Sequence, residues 1–412
     1  MNRVLVIGHH WPEPSTTAAG QHMMQLISSF QARHYHVTFA STAARTEHSV
    51  GLKDMGIEEV TVRLNHDSFD EFIVNLAPHI VVFDRFMVEE QFGWRVAEQC
   101  PGALRVLNTE DLHSLREFRG KCIKKPVPFT TEGWLNEDKT KRELASIYRS
   151  DLSLLVSTFE KQLLQDVVGI KAHFLLHIPF LLDAMEASKQ KQWPVFAERK
   201  DFITYGNGKH APNVDSIEFL KEHIWPLIKT AVPEAQLHIY GAYLPQGVHE
   251  MQDSKKGFLV HGWIDDLESA IKNARVVLAP LRFGAGIKGK LTLAMQCGTP
   301  SVTTDLGTEG MITNAQWPGT VANTSNSFAE AAIQLYNNEV EWTKAQNQGF
   351  KIINTDYVKS NIESRLFTTL EKLSANLETH RNNNIVGGLL QHQSLAATKF
   401  MGKWIEEKNK RD

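Results

Sequence analysis

Short runs of aliphatic and β-branched residues alternate along the chain with segments in which apolar residues recur every three to four positions. The alternation runs up to residue 107 and begins again after residue 200. Strands that alternate with helices form βαβ units, so the sequence predicts two doubly wound, Rossmann-like α/β domains with parallel sheets. The predicted strands are 3–7, 36–40, 59–64, 79–84 and 103–107, then 202–205, 236–240, 258–260, 275–279 and 301–304; the predicted helices are 20–30, 68–76 and 89–99, then 214–231, 267–273 and 291–297.

A segment with few strand formers separates the two series. It spans residues 183–200, contains Trp193 followed by a proline, and suits an interdomain linker. We therefore expect a first domain at 1–182 and a second domain at 201–355. Helical periodicity dominates residues 356–412, and we expect these helices to cross back to the first domain.

The composition excludes several classes of protein. The 44 lysines and arginines nearly balance 47 aspartates and glutamates, which argues against nucleic-acid binding through bulk charge. Cys100, Cys122 and Cys297 lie far apart without a metal-binding spacing, so we expect reduced thiols. The first apolar run ends at Gly8 and is too short for a secretory signal, so a cytoplasmic location is expected.

Residues 279–291 show the strongest local signal for chemistry, because a predicted strand is followed by a glycine-rich turn and a helix start. Gly284 and Gly286 let backbone amides approach an anion closely, and a helix N-terminus adds partial positive charge. Arg282 and Lys288 add full positive charges beside these amides. The turn therefore predicts a diphosphate site that needs no metal ion.

The same turn also has the spacing of a dinucleotide-binding motif. Gly284, Gly286 and Gly289 spell G-x-G-x-x-G, and Asp305 ends the next predicted strand, where such sites place a ribose-binding carboxylate. A nicotinamide site normally uses the first turn of its domain, whereas this turn comes late in the second half. An NAD-binding oxidoreductase stays open as a less favoured alternative.

The first half offers further groups at the ends of predicted strands. The loop 9–20 is long for a strand-to-helix connection and ends at Gly20, which suits close approach to a ligand. Asp111 and His113 stand two positions apart, which in an extended segment directs both side chains the same way. A carboxylate can orient an imidazole and tune its pKa for proton transfer or hydroxyl binding. We expect Asp111 and His113 to be the catalytic pair.

A set of motifs lies near the predicted strand ends of both halves. It comprises Val260-His261-Gly262-Trp263, Leu278-Ala279-Pro280-Leu281-Arg282, Gly284-Ala285-Gly286-Ile287-Lys288-Gly289-Lys290, Gly298-Thr299-Pro300 and Gly307-Thr308-Glu309-Gly310, together with Gly206-Asn207, His210, Pro212, Asn213 and Asp215, and Glu110-Asp111-Leu112-His113-Ser114-Leu115-Arg116. Together these residues resemble a GT-B glycosyltransferase of the retaining family 4 type, among the glycosyl transferases group 1. The resemblance covers most of residues 1–355.

This resemblance implies two facing Rossmann-like domains, with a nucleotide-sugar donor on the second domain, an acceptor on the first, and sugar transfer with retention. A hexosyltransferase-like enzyme of polysaccharide biosynthesis is expected, acting on a glycan, lipid-linked or small-molecule acceptor. No cofactor beyond the donor substrate is expected, and no metal, because the sequence has no D-x-D or H-E-x-x-H motif. The expected donor-binding residues are Gly20, Gly206, Asn207, Arg282, Gly284, Gly286, Lys288, Asp305 and Glu309.

The chain departs from the family pattern at one pair of positions. Family members usually carry two glutamates eight positions apart, and these positions are Ala285 and Leu293 here. A ribose then loses a charge-assisted hydrogen bond of about 1.5–3 kcal/mol unless Asp305, Glu309 or a backbone group replaces it. A catalytically silent GT-B module that serves as a binding or scaffold partner in glycan assembly is therefore an open alternative.

Two further segments leave a membrane contact open. Basic residues between Arg116 and Lys125 are interleaved with apolar ones, which fits anionic lipid headgroups, a phosphorylated acceptor or a solvated basic face. Near the C-terminus, Phe400, Met401, Trp404 and Ile405 recur at helical spacing. This stripe fits peripheral binding at the inner membrane or packing against the first domain.

Overall fold

The alternating apolar runs form two parallel sheets, which confirms the predicted fold class. The fold comes from a computed structural model that describes residues 2–313, 315–392 and 394–409. The central strands, such as Arg3–Gly8 and Ile80–Asp84, are buried on both sides by helices, which explains why their sequences are continuous apolar runs rather than alternating ones.

The first sheet has the strand order β3-β2-β1-β4-β5-β6-β7, and its neighbouring strands pair in parallel. Its strands are β1 Arg3–Gly8, β2 His36–Ser41, β3 Glu58–Thr61, β4 Ile80–Asp84, β5 Leu104–Asn108, β6 Leu152–Leu155 and β7 Leu175–His177. The helices of this domain are α1 Ala18–Ala32, α2 Ser68–Leu76, α3 Phe86–Gln99, α4 His113–Lys124, α5 Thr131–Asn136, α6 Asp138–Arg149 and α7 Thr158–Asp166.

A short helix, α8 Ala187–Gln190, lies in the linker. The second sheet has the order β10-β9-β8-β11-β12-β13 and is also parallel. Its strands are β8 Lys200–Tyr205, β9 Leu237–Tyr240, β10 Phe258–Gly262, β11 Ala274–Ala279, β12 Ser301–Thr303 and β13 Gly319–Val321. The helices are α9 Ala211–Phe219, α10 Trp225–Ala231, α11 Gln246–His249, α12 Leu267–Asn273, α13 Gly289–Gln296, α14 Asp305–Thr308, α15 Ser325–Asn337 and α16 Glu339–Asp356.

The chain returns to the first domain after α16. Leu182 and Val358 form a parallel bridge where the two crossing segments meet. Helix α17 Lys359–Ala375 then buries Leu366, Phe367 and Leu370 in the same hydrophobic cluster as the strands of the first sheet. The remaining helices are α18 Leu377–Asn382, α19 Ile385–His392 and α20 Ser394–Asn409.

Several elements differ from the sequence-based expectations. The predicted helix 214–231 consists of α9 and α10 joined by a π-helical turn, Leu220–Ile224. Strands β6 and β7 were not predicted, because each has only three or four residues and little apolar pattern of its own. Helices α4 to α7 were missed as well. The C-terminal region, expected to be helical, ends in two separately bounded helices, α19 and α20.

The apolar stripe of α20 is exposed. Phe400, Met401, Trp404 and Ile405 keep 45–65% of their surface open to solvent, so these four side chains do not pack against the first domain. Among the residues that the structure describes, no helix combines the length and apolar composition needed to cross a bilayer.

Candidate active site

The carboxyl ends of the two sheets meet at a cleft of about 1070 Å³. In parallel α/β sheets this edge gathers loop amides and helix N-termini, and ligands bind there. The lining follows that rule, since it comes from segments after β1, β4 and β5 of the first domain and after β8, β9 and β11 of the second. The residues predicted to be functional, such as Asp111, His113 and Lys288, follow strand ends in this way.

The N-termini of α1 and α13 approach each other across this cleft. A Cβ placed on Gly289, the first residue of α13, would lie 2.4 Å from the Cβ of Ala18, the first residue of α1. Each helix N-terminus carries about half a positive charge and unpaired amides. Two such ends face to face favour an anion beside them.

The glycine-rich turn is held in place by the first domain. Gly286 has φ 64°, and its amide donates to Glu160 Oε1 at 2.6 Å. The carbonyl of Gly284 accepts from Arg119 Nη1 at 3.0 Å. A Cβ on Gly286 would come within 2.8 Å of the Asp111 Cβ, so only glycine fits this approach. The turn is therefore an interdomain contact as well as part of the cleft lining.

Lys288 and Lys290 have different environments. Lys288 is buried, donates to the Gly286 carbonyl at 2.8 Å, and its pKa is lowered by burial against the opposing influence of Glu309 and Glu160. Burial alone lowers the pKa of Lys290 to about 8. No carboxylate among the described residues pairs with Lys290, which lines the cleft. Lys290 is thus a cation with unused binding capacity beside the glycine-rich turn.

Asp111 and His113 are brought together as the sequence predicts, with Nε2 and Oδ1 3.3 Å apart. Burial would raise the pKa of Asp111, but Arg116, His113 and His210 outweigh it and hold that pKa well below its usual range. Burial lowers the pKa of His113 to about 3. The ring is therefore neutral at physiological pH beside an ionised carboxylate, which assigns its proton to Nε2. His113 Nδ1 is buried and has no hydrogen-bond partner.

A buried glutamate fixes the start of α4, which carries His113. Glu143 accepts from the amides of His113 at 2.8 Å and Ser114 at 3.0 Å, and from the Ser114 hydroxyl at 2.6 Å. Burial raises the pKa of Glu143 to about 7 despite these donors. The imidazole therefore has a rigid backbone support at a helix N-terminus.

Three more predicted donor-binding residues also line the cleft. Gly20 lies in the first turn of α1, and its amide donates to the capping hydroxyl of Thr17 at 3.0 Å. Gly206 and Asn207 follow β8, and the Asn207 side chain reaches across to the Thr16 carbonyl at 3.5 Å. These residues join the two domains near the N-terminus of α1.

The other three predicted donor-binding residues lie outside the cleft lining. Arg282 Nε donates to Asp215 Oδ2 at 2.9 Å, and neither residue lines the cleft. Asp305 is exposed and accepts from Asn323 at 2.6 Å. Glu309 forms two hydrogen bonds with Arg119, at 2.7 and 2.9 Å. Each of these side chains already has a partner of its own.

Comparison with known proteins identifies the architecture. Sucrose-phosphate synthase from Thermosynechococcus elongatus superimposes with a TM-score of 0.67 at 14% identity, over 91% of this chain and 100% of that one. HepE from Anabaena, in complex with UDP-glucose, gives 0.66 at 12% identity, over 90% and 100%. TarM from S. aureus, in complex with UDP and α-GlcNAc-glycerol, gives 0.66 at 10% identity, over 90% and 100%.

The chain has the GT-B fold of glycosyltransferases. Residues 199–338, which form most of the second domain, match the family model described as glycosyl transferases group 1. No curated protein sequence matches the chain. The GT-B architecture and the match of the second domain agree with the resemblance seen in the motifs.

The two positions that depart from the family pattern have apolar surroundings in this GT-B chain. Ala285 packs into the core of the first domain. Leu293 lines the cleft and packs against the same buried hydrophobic cluster as Tyr240 and Leu267. This part of the second domain also presents Trp263, which is 43% exposed. The cleft wall after β9 and β10 is therefore apolar and aromatic.

Sequence reasoning missed the buried partners that hold the GT-B cleft together. Glu160 is fully buried on α7, and burial together with Asp111 raises its pKa. Arg119 belonged to a basic cluster expected to meet solvent, lipid or acceptor, yet it bridges to the second domain. Nothing in the local sequence marks either residue, because both partners are more than 100 positions away. Lys290 was marked only by its place beside the glycines.

Proposed function

We propose that the protein is a glycosyltransferase that transfers a sugar from a nucleotide-diphosphate sugar to an acceptor hydroxyl, with retention and without a metal ion. The observation that carries this proposal is the convergence of two helix N-termini beside the unpaired ammonium of Lys290. Three sources of positive charge at one place suit a diphosphate. Retention and metal independence follow from the motifs and the resemblance that they carry.

The donor would lie mainly against the second domain. Its diphosphate would lie beside the N-termini of α1 and α13, which are too close together to enclose it, and would be bound by their exposed amides and by Lys290. The exposed ring of Trp263 offers a flat surface for a nucleobase, next to the apolar wall of Leu293 and Tyr240. TarM and HepE, which share the fold, are described in complexes with UDP, and this favours UDP-sugars as the first donors to test.

The acceptor would lie against the first domain, beside Asp111 and His113. Neutral His113 can accept a hydrogen bond from a sugar hydroxyl at Nδ1, but its pKa of about 3 makes it a poor general base at neutral pH. Asp111 forms an ion pair with Arg116, which holds its pKa well below the usual range, so it is a still weaker base. In the proposed reaction the bond between the sugar and the diphosphate breaks, a bond to the acceptor oxygen forms, and the hydroxyl proton passes to the departing phosphate.

Positive charge at the diphosphate is the main catalytic contribution in this proposal. Preorganised amides and cations stabilise charge that develops on a leaving group more strongly than water does. Lys290 and the two helix ends are fixed by the fold before the donor binds. Lys288 adds charge behind the turn, where it is already engaged with a carbonyl.

A binding module without turnover is the second candidate. Ala285 and Leu293 replace the carboxylates of the family, and the Gly286 amide is already bound by Glu160. Such a protein would bind a nucleotide sugar but transfer nothing. Detection of transfer to any acceptor, or of slow donor hydrolysis, would exclude this candidate.

The test is calorimetry with UDP-, GDP-, ADP- and dTDP-sugars and with NAD. We expect one class of nucleotide sugar to bind, and Lys290→Gln to weaken it about ten- to a hundredfold, the effect of losing a charge-assisted hydrogen bond. Lys255→Gln removes the same charge at an exposed position outside the cleft and should leave binding unchanged. Unaltered affinity in Lys290→Gln, or saturable binding of NAD alone, would contradict the proposal.

A further inference from the structure

Arg85 holds an unusual backbone conformation at the end of β4. Its φ is 75°, in the left-handed region that non-glycine residues rarely occupy. Its amide donates to the Asn108 carbonyl of the neighbouring strand at 2.8 Å, which fixes the turn. Non-glycine residues in this region cluster at binding sites, where surrounding structure holds them in place.

The guanidinium of Arg85 lacks a close anionic partner. Its nearest carboxylate oxygen is Asp84 Oδ1, 4.0 Å from Nε and beyond hydrogen-bond distance. The other oxygen, Asp84 Oδ2, accepts from the His9 amide at 3.1 Å. Arg85 Nε is buried and has no hydrogen-bond partner. Asp111, another carboxylate that lines the cleft in the first domain, is bound by Arg116.

Helix α3 adds a second source of positive potential at the same place. Arg85 is its N-cap, and no side chain caps its first amides. Phe86 and Met87, the first residues of the helix, line the cleft together with Arg85. The acidic residue of the first turn, Glu89, is bound by Arg149. An arginine at a helix N-terminus is electrostatically unfavourable unless an anion is bound there.

We propose that Arg85 and the first amides of α3 bind an anionic group, a phosphate or a carboxylate, carried by the acceptor. This inference rests on the proposed function and names the class of acceptor. This corner of the cleft, formed by Arg85 and the first amides of α3, belongs to the first domain and lies away from the glycine-rich turn of the second. It also adjoins the catalytic pair, because the rings of Phe86 and His113 are 6.0 Å apart. An anion here would place the rest of the acceptor beside His113.

The first experiment compares three sugars by calorimetry on the protein saturated with UDP. Glucose 6-phosphate and glucuronate carry the two anionic groups, and glucose carries neither. We expect at least one anionic sugar to bind tenfold or more tightly than glucose, and the stronger of the two shows which group the corner prefers. Equal affinity for all three, including no binding of any, would overturn the inference.

Variants at Met87 and Arg85 test whether the preference for anionic sugars arises at this site. Met87→Glu introduces a carboxylate in the first turn of α3, where it stabilises the helix and competes for Arg85, so the anion preference should be lost. Met87→Gln has nearly the same shape without charge and should keep it. Arg85→Gln should also abolish the preference, whereas Arg63→Gln, at an exposed position, should not. A preference that survives in Met87→Glu would overturn the inference.

The UDP titration separates this inference from the proposed function. UDP affinity is measured first for each variant and should be the same in all of them, because Arg85 and Met87 lie on the acceptor side. If none of UDP, GDP, ADP and dTDP binds the unmodified protein, the proposed function fails. The sugar titrations on the free protein then still report whether Arg85 selects anions.

Discussion

Two lysines only two positions apart show that a residue's surroundings decide whether its charge is available to a ligand. Lys288 is engaged with a carbonyl and surrounded by Glu309, Glu160 and Arg119. Lys290 has no such partner, and its pKa is near 8 because of burial alone. The sequence favoured Lys288 for the diphosphate, whereas the geometry makes Lys290 the better candidate.

Donor affinity should depend on pH through Lys290. A bound diphosphate stabilises the charged lysine and raises its pKa above the value of about 8 in the free protein. The affinity for a UDP-sugar, whose diphosphate has no ionisation near neutral pH, should therefore be constant below about pH 7 and should fall above pH 8, by up to about tenfold per pH unit. Calorimetry from pH 6 to 9.5 measures this slope. A slope that is unchanged in Lys290→Gln would assign the titration to another group.

His113 should act as a neutral hydrogen-bonding group. Because its pKa is about 3, the pH–rate profile should show no histidine inflection between pH 5 and 8. His113→Gln, which keeps a hydrogen-bonding side chain, should retain more transfer activity than His113→Ala. Both are measured as kcat/KM with the best donor. Equal losses in the two variants, with an inflection near pH 6.5 in the unmodified protein, would indicate proton transfer instead.

At the scale of elements, the turn between β11 and α13 takes part both in the proposed donor site and in the contact between the two domains. It presents Lys290 to the donor side and also docks against Glu160 and Arg119 of the first domain. Its sequence predicted a ligand-binding turn, but the interdomain docking needed the tertiary structure. Any change that moves this turn should alter the donor site and domain closure together.

Gly286→Ala tests this coupling. The substitution forces an alanine into φ 64° and places its Cβ 2.8 Å from that of Asp111, so the turn must shift. We expect at least a tenfold loss of kcat/KM, measured with a saturating acceptor. Gly388→Ala is the control, since nothing lies within 4 Å of its Cβ in α19 and the change should stabilise the helix by about 0.5–1 kcal/mol. Full activity in Gly286→Ala would show that the turn tolerates movement.

At the scale of the whole molecule, the first domain is completed by residues from the far end of the chain. Helix α17 contributes Leu366 and Phe367 to the core that contains β1 and β4. The return crossing at Leu182 and Val358 fixes this helix beside the linker. The two domains are therefore connected twice, which restricts their relative motion more than a single linker would.

Leu366→Ala should destabilise the first domain although the residue lies after the second domain in sequence. The side chain is fully buried, and its truncation should lower the free energy of unfolding by about 2–5 kcal/mol. Chemical denaturation measures the effect. Leu389→Ala removes an equivalent side chain that is 69% exposed and should change stability by less than about 0.5 kcal/mol. Equal effects in the two variants would contradict the packing of α17.

The local sequence determined the fold class and many of the elements, because strands and helices bury continuous or periodic apolar surfaces that leave a visible pattern. It also predicted that Asp111, His113 and the glycine-rich turn follow strand ends, and these residues line the cleft. The short strands β6 and β7 were not predicted, because a run of three or four residues carries too little hydrophobic pattern to be recognised.

Only the tertiary structure decided which charges remain free. Arg282 is paired with Asp215 and Glu309 with Arg119, and Asp305 accepts a hydrogen bond from Asn323. Lys290 and Arg85 are not closely paired. Sequence spacing cannot show such pairing, because the partners come from other strands and from the opposite domain. Coulomb interactions depend on distance and burial, and both are set by the packing of the two domains.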